Sequence, residues 1–143
     1  MSKPNARLLR AALATVLSLG ACAPPSPHAA NADVYAAWAA QRSGVEVTAS
    51  GSVARVLGMR RGPSGVHEGF LLHLRGSAGR GLTVRVEDNT DLTGPIPLAA
   101  GDDVEVRGEY IYDPRGGLIH YTHRDPRGRH AAGYVAVNGR TYQ

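Results

Sequence analysis

A dense group of ionisable side chains lies between Leu118 and Gly133, in a segment that reads LIHYTHRDPRGRHAAG. Three histidines and one aspartate fall within eleven positions of it: His120, His123, Asp125 and His130. Imidazole titrates near neutral pH, and imidazole and carboxylate groups also ligate divalent metals. Arginines at 124, 127 and 129 lie among them, and guanidinium groups bind the charge of phosphates and carboxylates. The segment therefore predicts a site for an anionic substrate.

The spacing of two of these histidines sets a condition on the site. On a regular strand His120 and Thr122 share one face, so that His123 points away from His120. The two imidazoles converge only if the strand ends or bulges near Thr122, and Asp125-Pro126 favours an extended or turning chain there. If they converge, His120, His123 and Asp125 could bind a divalent metal ion. A familiar zinc motif, two histidines four positions apart on a helix, is not found.

The predicted site also draws on residues from earlier in the chain. The residues predicted to be catalytic are His67, His120, His123 and Asp125. The predicted substrate contacts are Asn89, Asp91, Glu109, Arg124, Arg127 and His130. Simpler alternatives stay open: the arginine-rich loop is a solvated loop, the aspartate caps a turn, and Glu87 and Glu109 are solvated on strand faces opposite the core.

The elements that position these residues begin with one short helix, predicted within residues 33–43. Asp33 is its expected N-cap and Gly44 its end. Val34 and Trp38 are four positions apart and therefore share a face, so Trp38 is expected to anchor the helix by packing.

From Val45 the apolar period changes to two, which is typical of strands. Predicted strands cover residues 45–57, 67–74, 82–87, 102–112 and 118–122, and Asn138-Gly139 suits the type I′ turn of a hairpin formed by 134–137 and 140–142. The predicted fold class is all-β: a small five-stranded OB-like barrel over residues 44–143, preceded by one short helix, with a C-terminal hairpin. A small β-sandwich is the competing architecture.

Several motifs resemble a family of short exported bacterial proteins that is known only as a domain of unknown function. They are HEGFLL, DNTDL, GDDVEVRGEY, GGLIHYTHRDPRGRHAAGYV and the final GRTYQ, and the resemblance covers about Val45 to Gln143. It implies the fold and a set of site residues, with no assigned activity.

Individual positions follow from that resemblance. His67 matches the histidine of a His-Gln-(Arg)-Phe motif, with Glu68 replacing Gln. Asn89, Asp91 and Leu92 match an Asn-Ile-Asp-Leu motif, with Thr90 replacing Ile. Asp88 stands where the family often has His, and Tyr121 and Tyr134 stand where Trp is common.

The N-terminus has the pattern of a bacterial lipoprotein signal. Basic residues precede an apolar run, Leu8 to Leu19, that is too short to span a bilayer, and Leu19-Gly20-Ala21-Cys22 fits a lipobox. We expect residues 1–21 to be removed, Cys22 to carry the lipid that anchors the protein to a membrane, and residues 22–32 to form a flexible tether. Ala23 after the cysteine predicts the periplasmic side of the outer membrane in a cell with two membranes. A plain secretory signal with a chance cysteine is the alternative.

Charge limits the classes of partner. From Cys22 onward the chain holds 13 Arg, no Lys and 12 Asp plus Glu, a net charge of +1 against +4 for the whole sequence. A global polyanion-binding surface is not implied, and there is no strong case for tight nucleic-acid binding.

Three functions are consistent with these features. The first is a hydrolase of a phosphodiester or other anionic substrate, with two histidines as general base and acid, arginine stabilising the transition state, and a divalent metal as an option. The second is an OB-type module that binds single-stranded nucleic acid or oligosaccharide without catalysis. The third is an envelope protein whose histidine-rich loop contacts another protein. Only one H-x-T motif occurs, at 120–122, so enzymes that use a pair of them are not matched.

Overall fold

Seven strands and two short helices make up the part of the chain that the computed structural model describes, residues 31–74 and 81–143. In chain order they are α1 (Ala32–Ala39), β1 (Val45–Gly62), β2 (Gly65–Leu74), β3 (Leu82–Asn89), α2 (Thr90–Thr93), β4 (Asp103–Ile111), β5 (Leu118–His120), β6 (Tyr134–Val137) and β7 (Arg140–Tyr142). The predicted signal peptide, Cys22 and most of the predicted tether lie outside the described residues. Within the described residues, no helix is both long and apolar enough to cross a bilayer.

Five of the strands close into a ring in the order β1-β2-β3-β5-β4, with β4 pairing back onto β1. The pairings in the ring are antiparallel except for β3 with β5, which run parallel. This closed ring confirms the predicted five-stranded OB-like barrel rather than the β-sandwich. The predicted hairpin is also confirmed: β6 pairs with β4 and turns into β7 through Asn138 and Gly139, whose φ values are 52° and 74°.

The barrel interior is filled by alternate residues of the strands, as the period of two requires. The fully buried apolar side chains include Phe70, Leu72, Leu74, Val84, Val86, Val106, Tyr110 and Ile119. Burying such side chains contributes about 25 cal/mol per Å² of apolar surface. Their neighbours in sequence therefore face outward, which fixes the surface on which polar side chains can gather.

Helix α1 differs in detail from the prediction. It ends at Ala39, and Gln41 has a φ of 53°, which a right-handed helix cannot include. Its N-cap position is Asn31 rather than Asp33, and the side-chain amide of Asn31 instead exchanges two hydrogen bonds with the backbone of Ser50. The last residues of the predicted tether are thus part of the folded domain.

Trp38 is not the anchor of that helix. Its side chain is 37% exposed, whereas Val34 and Ala37 are buried and belong to the core. A helix of only two turns buries a narrow stripe of residues against the barrel. Val34 and Ala37, three positions apart, form that stripe.

Candidate functional site

A cleft of about 1340 Å³ crosses the outer face of the barrel, between the β1–β2 turn, the start of α2 and the loop that follows β5. Nine of the ten residues predicted as catalytic or substrate-contacting line it: His67, Asn89, Asp91, Glu109, His120, His123, Asp125, Arg127 and His130. The tenth, Arg124, is exposed and does not line the cleft. Its neighbour His123 is buried and does line the cleft.

One wall of the cleft is a row of register partners at the end of the β1–β2 hairpin. Arg60 of β1 lies opposite His67 of β2, which lies opposite Asn89 of β3. The amide of Asn89 donates to the carbonyl of Ser64 at 3.0 Å and accepts from the backbone N–H of Asp91 at 3.1 Å. These two bonds tie the hairpin turn to α2 and hold the row in place.

A second row crosses the opposite side of the cleft. Glu46 of β1 is the register partner of Glu109 of β4, which is the partner of His120 of β5. Nε2 of His120 lies 3.3 Å from Oε1 of Glu109. The sequence predicts that Glu109 faces outward, but its contact with His120 depends on strand register, which spacing along the chain does not reveal.

The chain turns sharply after His120. Strand β5 ends at that residue, and Tyr121 has a φ of 55°. Gly133 makes the turn possible, because a Cβ there would overlap the carbonyl oxygens of Tyr121 and Arg107. The N–H of Gly133 also donates to the carbonyl of His123 at 3.0 Å. The geometric condition for convergence of the two histidines, a strand that ends near Thr122, is therefore met.

Four rings meet at this turn. The Tyr121 ring stacks on His120 on one side, at 4.0 Å between centroids, and on His130 on the other, at 4.2 Å. The ring of His123 meets that of His130 edge-on at 4.9 Å. Stacked and edge-to-face aromatic pairs of this kind are worth about 0.5–1.5 kcal/mol beyond the area they bury. The imidazoles are therefore held as one cluster around Tyr121.

Backbone carbonyls set the tautomers of the other histidines. Nδ1 of His123 lies 2.9 Å from the carbonyl oxygen of the next residue, and Nδ1 of His130 lies 2.8 Å from the carbonyl of its own successor. Nδ1 of His67 lies 3.2 Å from the carbonyl of Gly65. A carbonyl only accepts, so each Nδ1 carries the hydrogen and each neutral ring keeps its lone pair on Nε2. Such rings can take up a proton at Nε2.

Asp125 organises the loop instead of facing the cleft with free oxygens. Its carboxylate accepts from the backbone N–H groups of Arg127 and Arg129, at 2.9 and 2.6 Å, and from Nε of Arg129 at 3.1 Å. Its side chain is only 2% exposed. The hydrogen bond from the Arg127 backbone, followed by those from Arg129, holds the pKa of Asp125 well below its usual range. These contacts match the alternative interpretation, in which Asp125 caps a turn.

The predicted metal ligands are not gathered into a ligand set. Among the residues that the structure describes, no three His, Cys, Asp or Glu side chains are grouped so that they could hold a metal ion. For the trio of His120, His123 and Asp125 the reason is local, because the carboxylate oxygens are already bonded to N–H groups of their own loop.

Carboxylates outnumber guanidinium groups along the cleft, five to three. The carboxylates are those of Glu46, Glu87, Asp91, Glu109 and Asp125, and the guanidinium groups those of Arg60, Arg127 and Arg129. Arg129 pairs with Asp125. Within residues 31–74 and 81–143, Arg60 and Arg127 form no ion pair, so their charges remain available to an anion.

Among the residues that sequence reasoning missed are two that line the cleft and one that lies behind it, inside the barrel. Arg60 falls between the predicted strands 45–57 and 67–74, although it belongs to β1, and Glu46 is brought to Glu109 only by register. Asp88, which in the sequence only departs from a family motif, is fully buried and accepts hydrogen bonds from Thr93 and Thr122. One signal could have identified it: on β3 it shares the inward face with Val84 and Val86, where a carboxylate needs partners.

Comparison with known proteins agrees with the predicted resemblance to a family known only as a domain of unknown function. No curated protein matches the chain. The model of one family, described as "Protein of unknown function (DUF3465)", matches residues 16–143, which include the whole described domain and every residue of the cleft. The chain therefore belongs to the DUF3465 family of proteins of unknown function.

Proposed function

We propose that the protein is a hydrolase of an anionic substrate, with a phosphodiester as the best fit to its cleft. The observation that carries this proposal is the gathering of His67, His120, His123 and His130 in one cleft with the guanidinium groups of Arg60 and Arg127, which form no ion pair with another described residue. Imidazoles can exchange protons near neutral pH, and arginine can hold the charge of a phosphate. Their fixed tautomers support a role in proton transfer over a chance surface cluster.

In the proposed reaction His120 is the general base. Its Nε2–H donates to Glu109, as the 3.3 Å contact indicates, so Nδ1 can take a proton from the attacking water while the carboxylate stabilises the imidazolium. As oxygen from water bonds to phosphorus, the phosphorus–oxygen bond to the leaving alcohol breaks. His123, protonated at Nε2, gives its proton to that alcohol oxygen. Arg60 and Arg127 balance the phosphate charge in the transition state.

A second candidate is binding without catalysis. Tyr121 is 39% exposed at the cleft, and OB-type barrels bind nucleic-acid bases or sugars through aromatic side chains on this kind of surface. Both faces of the Tyr121 ring are already covered by His120 and His130, so only its edge is open to a ligand. Acid–base catalysis therefore explains more of the arrangement of these rings than ligand binding by Tyr121 does.

One experiment separates the two candidates. The purified protein is tested for hydrolysis of single-stranded DNA, RNA and bis(p-nitrophenyl) phosphate, with chelator and with added divalent cations. Loss of turnover in His120→Ala and His123→Ala, and its retention in His73→Ala, supports the hydrolase. His73 is a matched control because it faces outward on β2, bonded to Thr83 and away from the cleft.

Binding is measured on the same samples by fluorescence anisotropy of labelled single strands and by titration with oligosaccharides. The second candidate is favoured if the wild type binds a ligand without turnover and if Arg60→Ala and Arg127→Ala weaken that binding. Neither turnover nor binding in the wild type on any of these ligands would reject both.

We also propose that the protein is exported and anchored to a membrane through a lipid on Cys22. The basic N-terminal residues, the short apolar run and the sequence Leu19-Gly20-Ala21-Cys22 support this. The measurement is incorporation of a labelled fatty acid in the bacterial host, with Cys22→Ser as control. Equal labelling of both proteins, or of neither, contradicts the proposal.

A further inference from the structure

Asp88 is a carboxylate inside the barrel that the proposed reaction does not use. It follows Val84 and Val86 on the inward face of β3 and is fully buried. A buried carboxylate is costly unless hydrogen bonds replace its water. Its register partner Glu68, also buried, is bonded elsewhere, to the N–H of Ile96 at 3.0 Å. Asp88 must therefore be satisfied by other groups.

Two threonine hydroxyls supply those bonds. Oγ1 of Thr122 donates to Oδ1 of Asp88 at 2.7 Å, and Oγ1 of Thr93 donates to Oδ2. Burial raises the pKa of Asp88, while these hydroxyls and the nearby imidazoles of His123 and His67 act in the opposite direction. One carboxylate thus joins two segments far apart in sequence.

Both segments reach the cleft. Thr122 is fully buried and lies in the turn between Tyr121 and His123, so its position sets where both rings are presented. Thr93 is the last residue of α2, the helix that carries Asp91 into the cleft. The β5 strand before the turn is only three residues long and offers little pairing of its own.

We propose that Asp88 is a positioning residue that fixes Thr122 from inside the barrel and so holds the turn bearing His120, Tyr121 and His123 in its working geometry. This assignment rests on the proposed function, because it places Asp88 behind the same acid–base cluster. Loss of the bond to Thr93 should affect the reaction less, since α2 contributes no imidazole to the cluster. The inference therefore predicts unequal effects of removing the two hydroxyls.

The test compares Thr122→Val with Thr93→Val, two nearly isosteric changes that each remove one hydroxyl from the same carboxylate. Thr122→Ser is the conservative variant that restores the donor. For Thr122→Val we expect kcat to fall about 10- to 100-fold, because small displacements of catalytic groups cost rates of that order. KM should change by less than about threefold, and Thr122→Ser and Thr93→Val should keep kcat within about threefold.

A second readout does not depend on activity. The N–H of Gly133, which donates to the carbonyl of His123, reports on the turn by hydrogen exchange. We expect its exchange to be at least about tenfold faster in Thr122→Val and Asp88→Asn, and unchanged in Thr122→Ser and Thr93→Val. If the wild type shows no turnover but exchange follows this order, the proposed function fails and the positioning role stands. Equal exchange in Thr122→Val and Thr122→Ser overturns the positioning role, whether or not the Asp88 variant folds.

Discussion

Glu109 and His120 are register partners on β4 and β5, and their side chains meet at 3.3 Å between Oε1 and Nε2. A carboxylate at neutral pH only accepts, so Nε2 of His120 carries the hydrogen and Nδ1 is left with the lone pair. Each side chain is 28% exposed, which leaves the pair both fixed by its contact and open to a substrate. Among the four cleft histidines, His120 has a carboxylate as its ring partner, whereas the other three have backbone carbonyls.

The first prediction concerns this pair. Glu109→Gln keeps the size of the side chain but removes the charge that stabilises a protonated His120, so we expect kcat on a phosphodiester to fall on the order of 100-fold. Stability should change by less than about 1 kcal/mol, since the pair is partly exposed. Steady-state kinetics and urea unfolding measure the two effects. Glu105→Gln is the matched control, because Glu105 faces outward on the same strand and bonds to Tyr134 outside the cleft. Equal kcat values in both variants would exclude Glu109 from the reaction.

The second prediction concerns the turn after β5. A Cβ on Gly133 would overlap the carbonyl oxygens of Tyr121 and Arg107, and backbone atoms cannot move aside cheaply. We therefore expect Gly133→Ala to lower the free energy of unfolding by about 1–3 kcal/mol. Urea unfolding followed by fluorescence measures this.

Gly69→Ala is the control for that change. A Cβ on Gly69 would make only ordinary contacts, the nearest with Leu57 at 3.5 Å. Its cost should stay below about 1 kcal/mol. A Gly133 variant no less stable than the Gly69 variant would mean that the turn is not tightly held.

The barrel could be predicted from sequence because a period of two is local information. Val47, Ala49, Phe70 and Leu72 are buried as the alternation requires, and Asn138-Gly139 forms the expected turn. The helix was less well predicted, because which stripe of a two-turn helix is buried depends on the barrel it meets.

The site could be predicted only in part, for a different physical reason. The histidine segment identified its own members, but the partners that hold them come through strand register and through the interior. Glu46 and Glu109 reach His120 across two strand pairings, and Asp88 reaches Thr122 from β3. Such pairings join residues far apart in the chain, and a shift of one residue would send every side chain to the other face.

The third prediction concerns the loop held by Asp125. Hydrogen bonds from the backbone of Arg127 and Arg129 lower the pKa of this carboxyl, so the ionised form stabilises the folded loop. That contribution is present above the ordinary carboxyl pKa of about 4 and is lost as pH falls through the lower pKa of the folded state. Asp125→Ala should therefore speed amide exchange at residues 127 and 129 near neutral pH, and the difference from the wild type should shrink in acid.

Asp113→Ala is the matched control for this loop. Asp113 caps a turn in the same way, accepting from the backbone N–H of Arg115 at 2.8 Å, but it does not line the cleft. We expect Asp113→Ala to leave exchange at 127 and 129 and the kcat unchanged, whereas Asp125→Ala lowers kcat about tenfold by releasing Arg127. If Asp125→Ala and Asp113→Ala show the same amide exchange at residues 127 and 129 and the same kcat, Asp125 does not organise the cleft loop.

The fourth prediction concerns alkaline pH and the core. Tyr110 is fully buried, and its hydroxyl donates to the carbonyl of Gly116 at 3.0 Å. Burial, with smaller effects from Tyr112 and Asp113, raises the pKa of Tyr110 to about 12. Because the folded state holds this proton more tightly than the unfolded chain, its contribution to stability is complete below about pH 10 and is lost as pH rises toward 12.

Tyr110→Phe should separate two contributions of the Tyr110 hydroxyl to stability, its hydrogen bond and its ionisation at alkaline pH. At pH 7 we expect a loss of about 1–2 kcal/mol, because the Gly116 carbonyl loses its donor in a buried site. Between about pH 10 and pH 12, stability should fall less steeply in the variant than in the wild type, because the phenylalanine has no proton to lose. Urea unfolding at fixed pH values across that range measures both effects. Parallel pH curves for the two proteins would show that another group controls alkaline unfolding, even if the loss at pH 7 is observed.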